Sequence, residues 1–262
     1  MKILVTADLH GYDKAFVQFA EMLKLNNYDA GVLCGDLMTF PSEQELSRAK
    51  QELESESTAV RARMEAPDPA VVQRALLNKE KEYKYILRGS GRSIVFVMGN
   101  DDGLLGDGPA WSSEKGITDI NERRARLGKY NFVGYQYTSP FIGGTFEKSE
   151  VDQTKDLDRL AGLIDEHTVL VTHGPPWGIL DAVFEGRRVG SKALRRVVDR
   201  KRPMLHVFGH IHHSFGTQEI WANCAYPHCR RFVGVDLETR EFSIIDPSAG
   251  RAPAQLGQNA AS

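Results

Sequence analysis

Five short segments carry residue types that bind metal ions or move protons. They are Asp8-Leu9-His10, Gly35-Asp36, Gly99-Asn100-Asp101-Asp102, Thr172-His173-Gly174 and Gly209-His210-Ile211-His212. Carboxylate and amide oxygens combined with imidazole nitrogens suit Mn, Fe or Zn. Asp8, His10, Asp36, Asn100, His173, His210 and His212 form the candidate ligand set, too many for one ion. Two ions roughly 3.5–4 Å apart, bridged by one carboxylate, use them all. Asp-x-His and His-x-His alternate by two, so an extended chain points both members to one side. Glycine precedes Asp36, Asn100 and His210 and follows His10 and His173, which suits close approach of backbone to metal or phosphate. Each segment alone is weak, since Gly-Asp is common in turns and a lone histidine is often a satisfied core residue. The signal is the set.

Each segment directly follows a short apolar run, and ligands collect beyond the carboxyl ends of strands in α/β sheets. Lys2 to Ala7, Ala30 to Cys34, Ser93 to Met98, Thr168 to Thr172 and Leu205 to Phe208 read as buried strands. Between the first two, Asp13 to Asn26 spaces Ala15, Phe16, Phe19, Ala20 and Leu23 as one helix face, so the chain opens as a parallel α/β unit. Ser42 and Glu45 form a capping box for a helix to about Glu65. Asp68 and Pro69 then start a second helix to about Leu87, stopped by Gly89-Ser90-Gly91. The preferred reading of residues 42–90 is a helical hairpin packed over one edge of the sheet. An oligomer contact or a lid over the site is the alternative.

Asn121 to Leu127 reads as helix-like, and Phe132 to Tyr137 and Phe141 to Gly144 as short strands. Helices are expected over Asp156 to Glu166 and Ser191 to Asp199. Glu219 to Ala222, Arg231 to Asp236 and Glu241 to Ile245 read as antiparallel strands. The expectation is one domain over residues 1–246, with 247–262 a flexible tail that has little to bury.

Composition excludes several classes. The formal net charge is -2, which argues against a general nucleic-acid surface. The basic run Arg195, Arg196, Arg200, Lys201 and Arg202 is broken by Asp199 and reads as a solvated helix face. Cys34, Cys224 and Cys229 are too few for a disulfide framework and suit a reducing compartment, so the expected location is cytoplasmic. Cys224, His228 and Cys229 lack the partners of a zinc site. Neither a signal peptide nor a membrane span is expected.

The set D-x-H, G-D, G-N-x-D, H-G and G-H-x-H resembles the calcineurin-like metallophosphoesterase superfamily, from about Met1 to Ile245. His173-Gly174-Pro175-Pro176-Trp177-Gly178, followed by Gly190-Ser191, is similar to its smaller single-domain members. The resemblance implies a four-layer α-β-β-α sandwich with two mixed sheets, to which the helical hairpin is an insertion. It implies one metal held by Asp8, His10, Asp36 and His212, and a second held by Asp36, Asn100, His173 and His210. Asp36 would bridge them. The implied activity is hydrolysis of small phosphate esters by a hydroxide held between two divalent metal ions.

In the family the position of Asp101 is usually histidine, which protonates the leaving group or stabilises phosphate charge. Aspartate there points to phosphodiesters over alkyl monoesters, with Asn100 and Asp101 as the catalytic candidates. A protein phosphatase or nucleotide pyrophosphatase of the same fold is the alternative. A non-catalytic metal-binding scaffold is a third reading, opposed by the complete ligand set. Arg187 and Arg188, in a glycine-flanked loop, are candidates to fork onto phosphate. His213 reads as exposed or supporting and His206 as core. Trp177 and Trp221 read as packing residues, and Asn223 is a candidate for the site's edge.

Overall fold

The computed structural model describes residues 1–56, 68–103, 111–141 and 143–249. The chain opens with β1 (Lys2–Thr6), α1 (Asp13–Leu25) and β2 (Ala30–Cys34). Helices α2 (Glu43–Glu56) and α3 (Pro69–Arg88) lead to β3 (Ser93–Val97). Then come β4 (Ile117–Asp119), β5 (Arg124–Leu127), β6 (Tyr130–Tyr135), α4 (Glu150–Leu160), β7 (Thr168–Thr172), α5 (Lys192–Lys201) and β8 (Leu205–Phe208). The last elements are β9 (Gly216–Gln218), β10 (Trp221–Asn223), the one-turn α6 (Tyr226–Cys229), β11 (Phe232–Asp236) and β12 (Glu241–Ile245).

Two six-stranded sheets form, ordered β12-β11-β1-β2-β3-β4 and β5-β6-β7-β8-β10-β9. Both are mixed: β1, β2 and β3 run parallel, as do β6, β7 and β8, while the outer pairs β11–β12, β5–β6 and β9–β10 are antiparallel. Period-two alternation sorts the strand side chains into layers. Ile3, Val5, Val32 and Val95 meet Phe132, Val169, Val171 and Val207 between the sheets. Their neighbours Leu4, Leu33 and Phe96 turn outward onto Phe16, Phe19 and Leu23 of α1 and Leu76 and Tyr83 of α3. On the other side, Tyr135, Leu170 and Phe208 pack under Leu157 and Leu160 of α4 and Leu194 and Val197 of α5. The result is the expected four-layer α-β-β-α sandwich.

The capping devices work as read. Ser42 N donates to Glu45 Oε2 at 2.7 Å while Glu45 N donates to Ser42 Oγ, and Asp68 Oδ1 accepts from Ala70 N. The expected end of the first hairpin helix near Glu65 lies outside the described residues. The hairpin packs on the outer face of the first sheet toward its β3–β4 end. It is the crossover between parallel β2 and β3, and α3 belongs to the helix layer beside α1. Val71, Ala75, Ala49 and Leu46 join α3 to α2.

Four expectations are corrected. Residues 124–127 form a strand, not a helix, because Arg124 to Leu127 pairs antiparallel with β6 and turns Ala125 and Leu127 toward the inter-sheet core. The described residues of the expected strand Phe141 to Gly144 lie in a loop: Phe141 N and Gly143 N both donate to Glu147 Oε2 and are not available to a ladder. The helix expected from Asp156 starts at Glu150, because Ser149 Oγ caps Asp152 N. Strand β10 is parallel to β8 and antiparallel only to β9. No helix among the described residues is long and apolar enough to cross a membrane.

Leu4 is fully buried between β1 and α1, so Leu4→Ala should cost about 2–5 kcal/mol of stability. Urea unfolding measures this as a lower midpoint at unchanged slope. A loss under about 1 kcal/mol would contradict the close packing assigned to that layer.

Candidate metal centre

All five segments lie where strands end on one rim of the sandwich. Asp8 and His10 follow β1, Asp36 follows β2, Asn100 to Asp102 follow β3, His173 follows β7, and His210 and His212 follow β8. The first sheet therefore supplies Asp8, His10, Asp36 and Asn100, and the second supplies the other three histidines. Each chain turn at the rim is tight. Asp8, His10, Asp36 and His210 all adopt left-handed backbone, at φ 58°, 43°, 51° and 69°. Aspartate and histidine are among the non-glycine residues that tolerate this region best. Gly99 allows a close approach, since a Cβ there would strike the Asp36 carboxylate and lie 2.6 Å from His173 Nε2.

The side chains converge in two groups. Asp8, His10 and His212 place ligand atoms within 4.8 Å of one another, as do Asp36, His173 and His210. His10, Asp36 and Asp101 form a third group, which links the first two. His10 Nε2 is 3.3 Å from His212 Nε2, and His212 Nε2 is 3.4 Å from Asp8 Oδ1. His173 Nε2 is 3.2 Å from Asp36 Oδ2 and 3.1 Å from Asn100 Oδ1. Donors roughly 2.0–2.1 Å from one tetrahedral ion stand roughly 3.3–3.4 Å apart, so these spacings fit divalent metal ions. The donor chemistry fits as well. His173 Nδ1 lies 2.8 Å from the Cys34 carbonyl; donating its proton there leaves Nε2 free as a ligand.

Electrostatics follow from crowding acids and imidazoles in a dry place. Burial works against the Asp36 carboxylate, but the charge and hydrogen bond of His173, then His10, outweigh it and hold Asp36 well below the usual carboxylate range. Burial pulls His173 down, and Asp36 outweighs it to raise His173 to about 10. His212 is also raised, since Asp8 outweighs its burial. His210 falls to about 4 through burial and the neighbouring His173. Burial and then Asp36 raise Asp101, and the same pair lifts Asp102 to about 7.

Asp102 is a supporting residue that the sequence displayed without revealing its task. Its Oδ1 accepts from Leu37 N and Met38 N, and its Oδ2 from Gly99 N, each at 2.8 Å. The fully buried carboxylate thus ties the loop after β2 to the loop after β3. Asp8 does the same between sheets, accepting from His210 N, and Asp36 Oδ1 accepts from Asp101 N. Asn100 Nδ2 donates to Asp101 Oδ1, which leaves Asn100 Oδ1 toward His173. Asn223 Nδ2 donates to the carbonyls of Ile211 and Leu180, holding the last histidine segment from behind.

Above the carboxylates lies a cavity of about 220 Å³, lined by His10, Asp36, Asn100, Asp101, His210 and His212 together with Phe141, Val183, Ile211 and His213. Neither Arg187 nor Arg188 is among these residues. Arg188 instead pairs with the buried Asp181 at 2.7 Å, and Arg187 is exposed. His213 does reach the cavity wall, whereas His206 is core, with Nε2 on Thr172 Oγ1 at 2.9 Å. Trp221 packs in the outer core and Trp177 lies under the Lys192 ammonium. Among the described residues, Cys224, His228 and Cys229 form no metal-binding group.

Comparisons with known proteins identify the family and the fold. Residues 1–214 match the family model described as calcineurin-like phosphoesterase. A Caenorhabditis elegans protein, UPF0046 protein K07C11.7, is 29% identical over 112 residues, 43% of this chain and 37% of that one. The human metallophosphoesterase domain-containing protein 1 is 52% identical over 50 residues, 18% of this chain and 15% of that one. The chain thus matches at most 37% of these relatives' length. The crystal structure of a dimetal phosphatase from Danio rerio superposes with a TM-score of 0.52 at 9% identity, covering 89% of this chain and 91% of that one. At that identity the likeness is one of fold.

Because His173 and His212 are both raised, protons compete with cations here. Metal uptake at pH 7 should release protons, and affinity should weaken as pH falls. Calorimetry of Mn addition in two buffers of different ionisation enthalpy measures the release. Identical heats in both would contradict the assigned protonation.

Proposed function

The chain belongs to the calcineurin-like phosphoesterase family, and from that premise we propose that it is a two-metal phosphodiesterase. The observation that carries the reading is the pair of ligand groups linked through His10 and Asp36 on the floor of one cavity. In the proposed assignment Asp8, His10, Asp36 and His212 hold one ion, and Asp36, Asn100, His173 and His210 hold the other. Mn, Fe and Zn all suit this donor set. Two such cations, when bound, supply Lewis acidity and lower the pKa of water.

The protein's own residues account for the rest. The loop-tying carboxylates fix the ligands before substrate arrives, so little reorganisation is needed during reaction. Asn100, held by Asp101, is the group assigned to orient a phosphoryl oxygen. Asp101 stands 3.5 Å from His10 Nδ1 and remains a third exposed at the cavity. Its negative charge disfavours a dianionic monoester more than a monoanionic diester, since like charges a few Å apart repel by roughly 1–4 kcal/mol across surface environments. No lysine or arginine lines the cavity among the described residues.

Metal-stripped protein given back Mn, Fe(II), Zn or Mg should hydrolyse a bis-aryl phosphate, and Asp36→Asn should lower the rate by at least about 100-fold. Two bound ions per chain without turnover of any ester would favour the scaffold reading. Asp101→His should raise the monoester-to-diester rate ratio by about tenfold, equivalent to about 1.4 kcal/mol. An unchanged ratio would remove Asp101 from substrate selection.

A further inference from the structure

The cavity wall carries aromatic surface that the metal ligands do not need. Phe141 is 62% exposed and meets the His210 ring edge-to-face at 5.5 Å. Phe184 is 74% exposed and covers His213 at 4.1 Å between ring centres, and His213 stacks on His228 at 4.3 Å. Single exposed aromatics are ordinary on a protein surface. Here two of them come from segments forty residues apart, and each packs on a histidine that lines the same cavity.

Both are held in place. The Phe141 loop is fastened by its backbone N–H to Glu147 Oε2. The other wall is a small hairpin, with Val183 N donating to Arg187 O and Val189 N to Asp181 O. Its stem is locked by the buried Asp181 carboxylate, which accepts from Gly178 N, Gly190 N and Arg188 Nη1. Ser214 Oγ donates to Ala182 O, which fixes the hairpin directly to the His212 segment. Arg188 therefore braces a hairpin that shows apolar surface to the cavity. A rigid, partly apolar wall loses little entropy on binding.

We infer that this wall selects the substituent on phosphorus: Phe141 on one side and Val183 and His213, backed by Phe184, on the other take a flat aromatic ring carried by the phosphoryl group. Size supports a small ring. At about 220 Å³ the cavity is below the roughly 300–1,000 Å³ of sites for drug-sized ligands, so it admits a phosphoryl group and one compact substituent. Phe141 touches a ligand histidine, so a ring stacked on it lies next to phosphorus. Offset or edge-to-face pairing then favours an aromatic over an alkyl group.

The inference rests on the phosphodiesterase reading, and one titration separates the two. The Mn-loaded full chain is titrated by calorimetry with monomethyl phenylphosphonate and monomethyl methylphosphonate, each singly charged like a diester. The phenyl compound should bind about three- to tenfold more tightly. Phe141→Ala and Phe184→Ala, both exposed and so tolerated by the fold, should each move that ratio toward one. Equal affinities in the wild type, or a ratio unmoved in both variants, would overturn the aromatic subsite while leaving the phosphodiesterase reading intact. Monomethyl cyclohexylphosphonate binding as tightly as the phenyl compound would overturn it too, by showing selection for bulk instead of flatness. Failure of every phosphonate to bind the loaded chain would remove the phosphodiesterase reading and this inference together.

Discussion

A carboxylate buried to the depth of Asp36 stays ionised only when hydrogen bonds and nearby positive charge replace the water it has lost. Around it stand His173 at 3.2 Å and His10 at 3.9 Å, with Asn100 and Asp101 close by. The two candidate ligand groups are linked where Asp36 approaches His10, and much of the rim's geometry serves to bring Asp36 there. The left-handed turn at Asp36, the bare backbone of Gly99 and the Cys34 carbonyl that orients His173 all act on the same few ångströms. Protons on the imidazoles or divalent cations between them meet the same electrostatic demand, which is why metal binding and protonation oppose each other.

Support for that centre is largely backbone N–H groups donating to carboxylates. Asp102 gathers three of them from two loops, Asp8 takes the His210 N–H across the sheets, and Asp181 takes two in the hairpin beyond. Charge-assisted bonds of this kind are stronger than neutral ones. They allow loops, normally the mobile part of a domain, to hold side chains to the tolerance that a metal site requires.

The strand-end candidate ligands were legible because each sits just past an apolar run, where local pattern and topology agree. The layer order was legible for the same reason, through alternation in β1, β2, β3 and β7. What failed involved tertiary partners. Asn121 to Leu127 is rich in helix formers, yet pairing with β6 overrides that propensity. Phe141 to Gly144 has the apolarity of a strand, but the N–H groups of Phe141 and Gly143 are taken by Glu147. Arg187 and Arg188 showed their charge in the sequence, while the buried acid that occupies Arg188 became visible only in three dimensions. Asp102 was in plain view in Gly-Asn-x-Asp, but its three donors come from segments up to sixty-five residues away.

The division of ligands between the sheets has a mechanical side. Asp36 rises from one sheet and His173 from the other, and a cation gripped by both would belong to neither. It would act as a rivet through the rim of the sandwich, so that sliding one sheet against the other would also mean breaking a coordination bond. The stiffness of the fold at that end would then follow the free metal concentration around it, and a chelator would loosen the molecule without touching its hydrophobic layers.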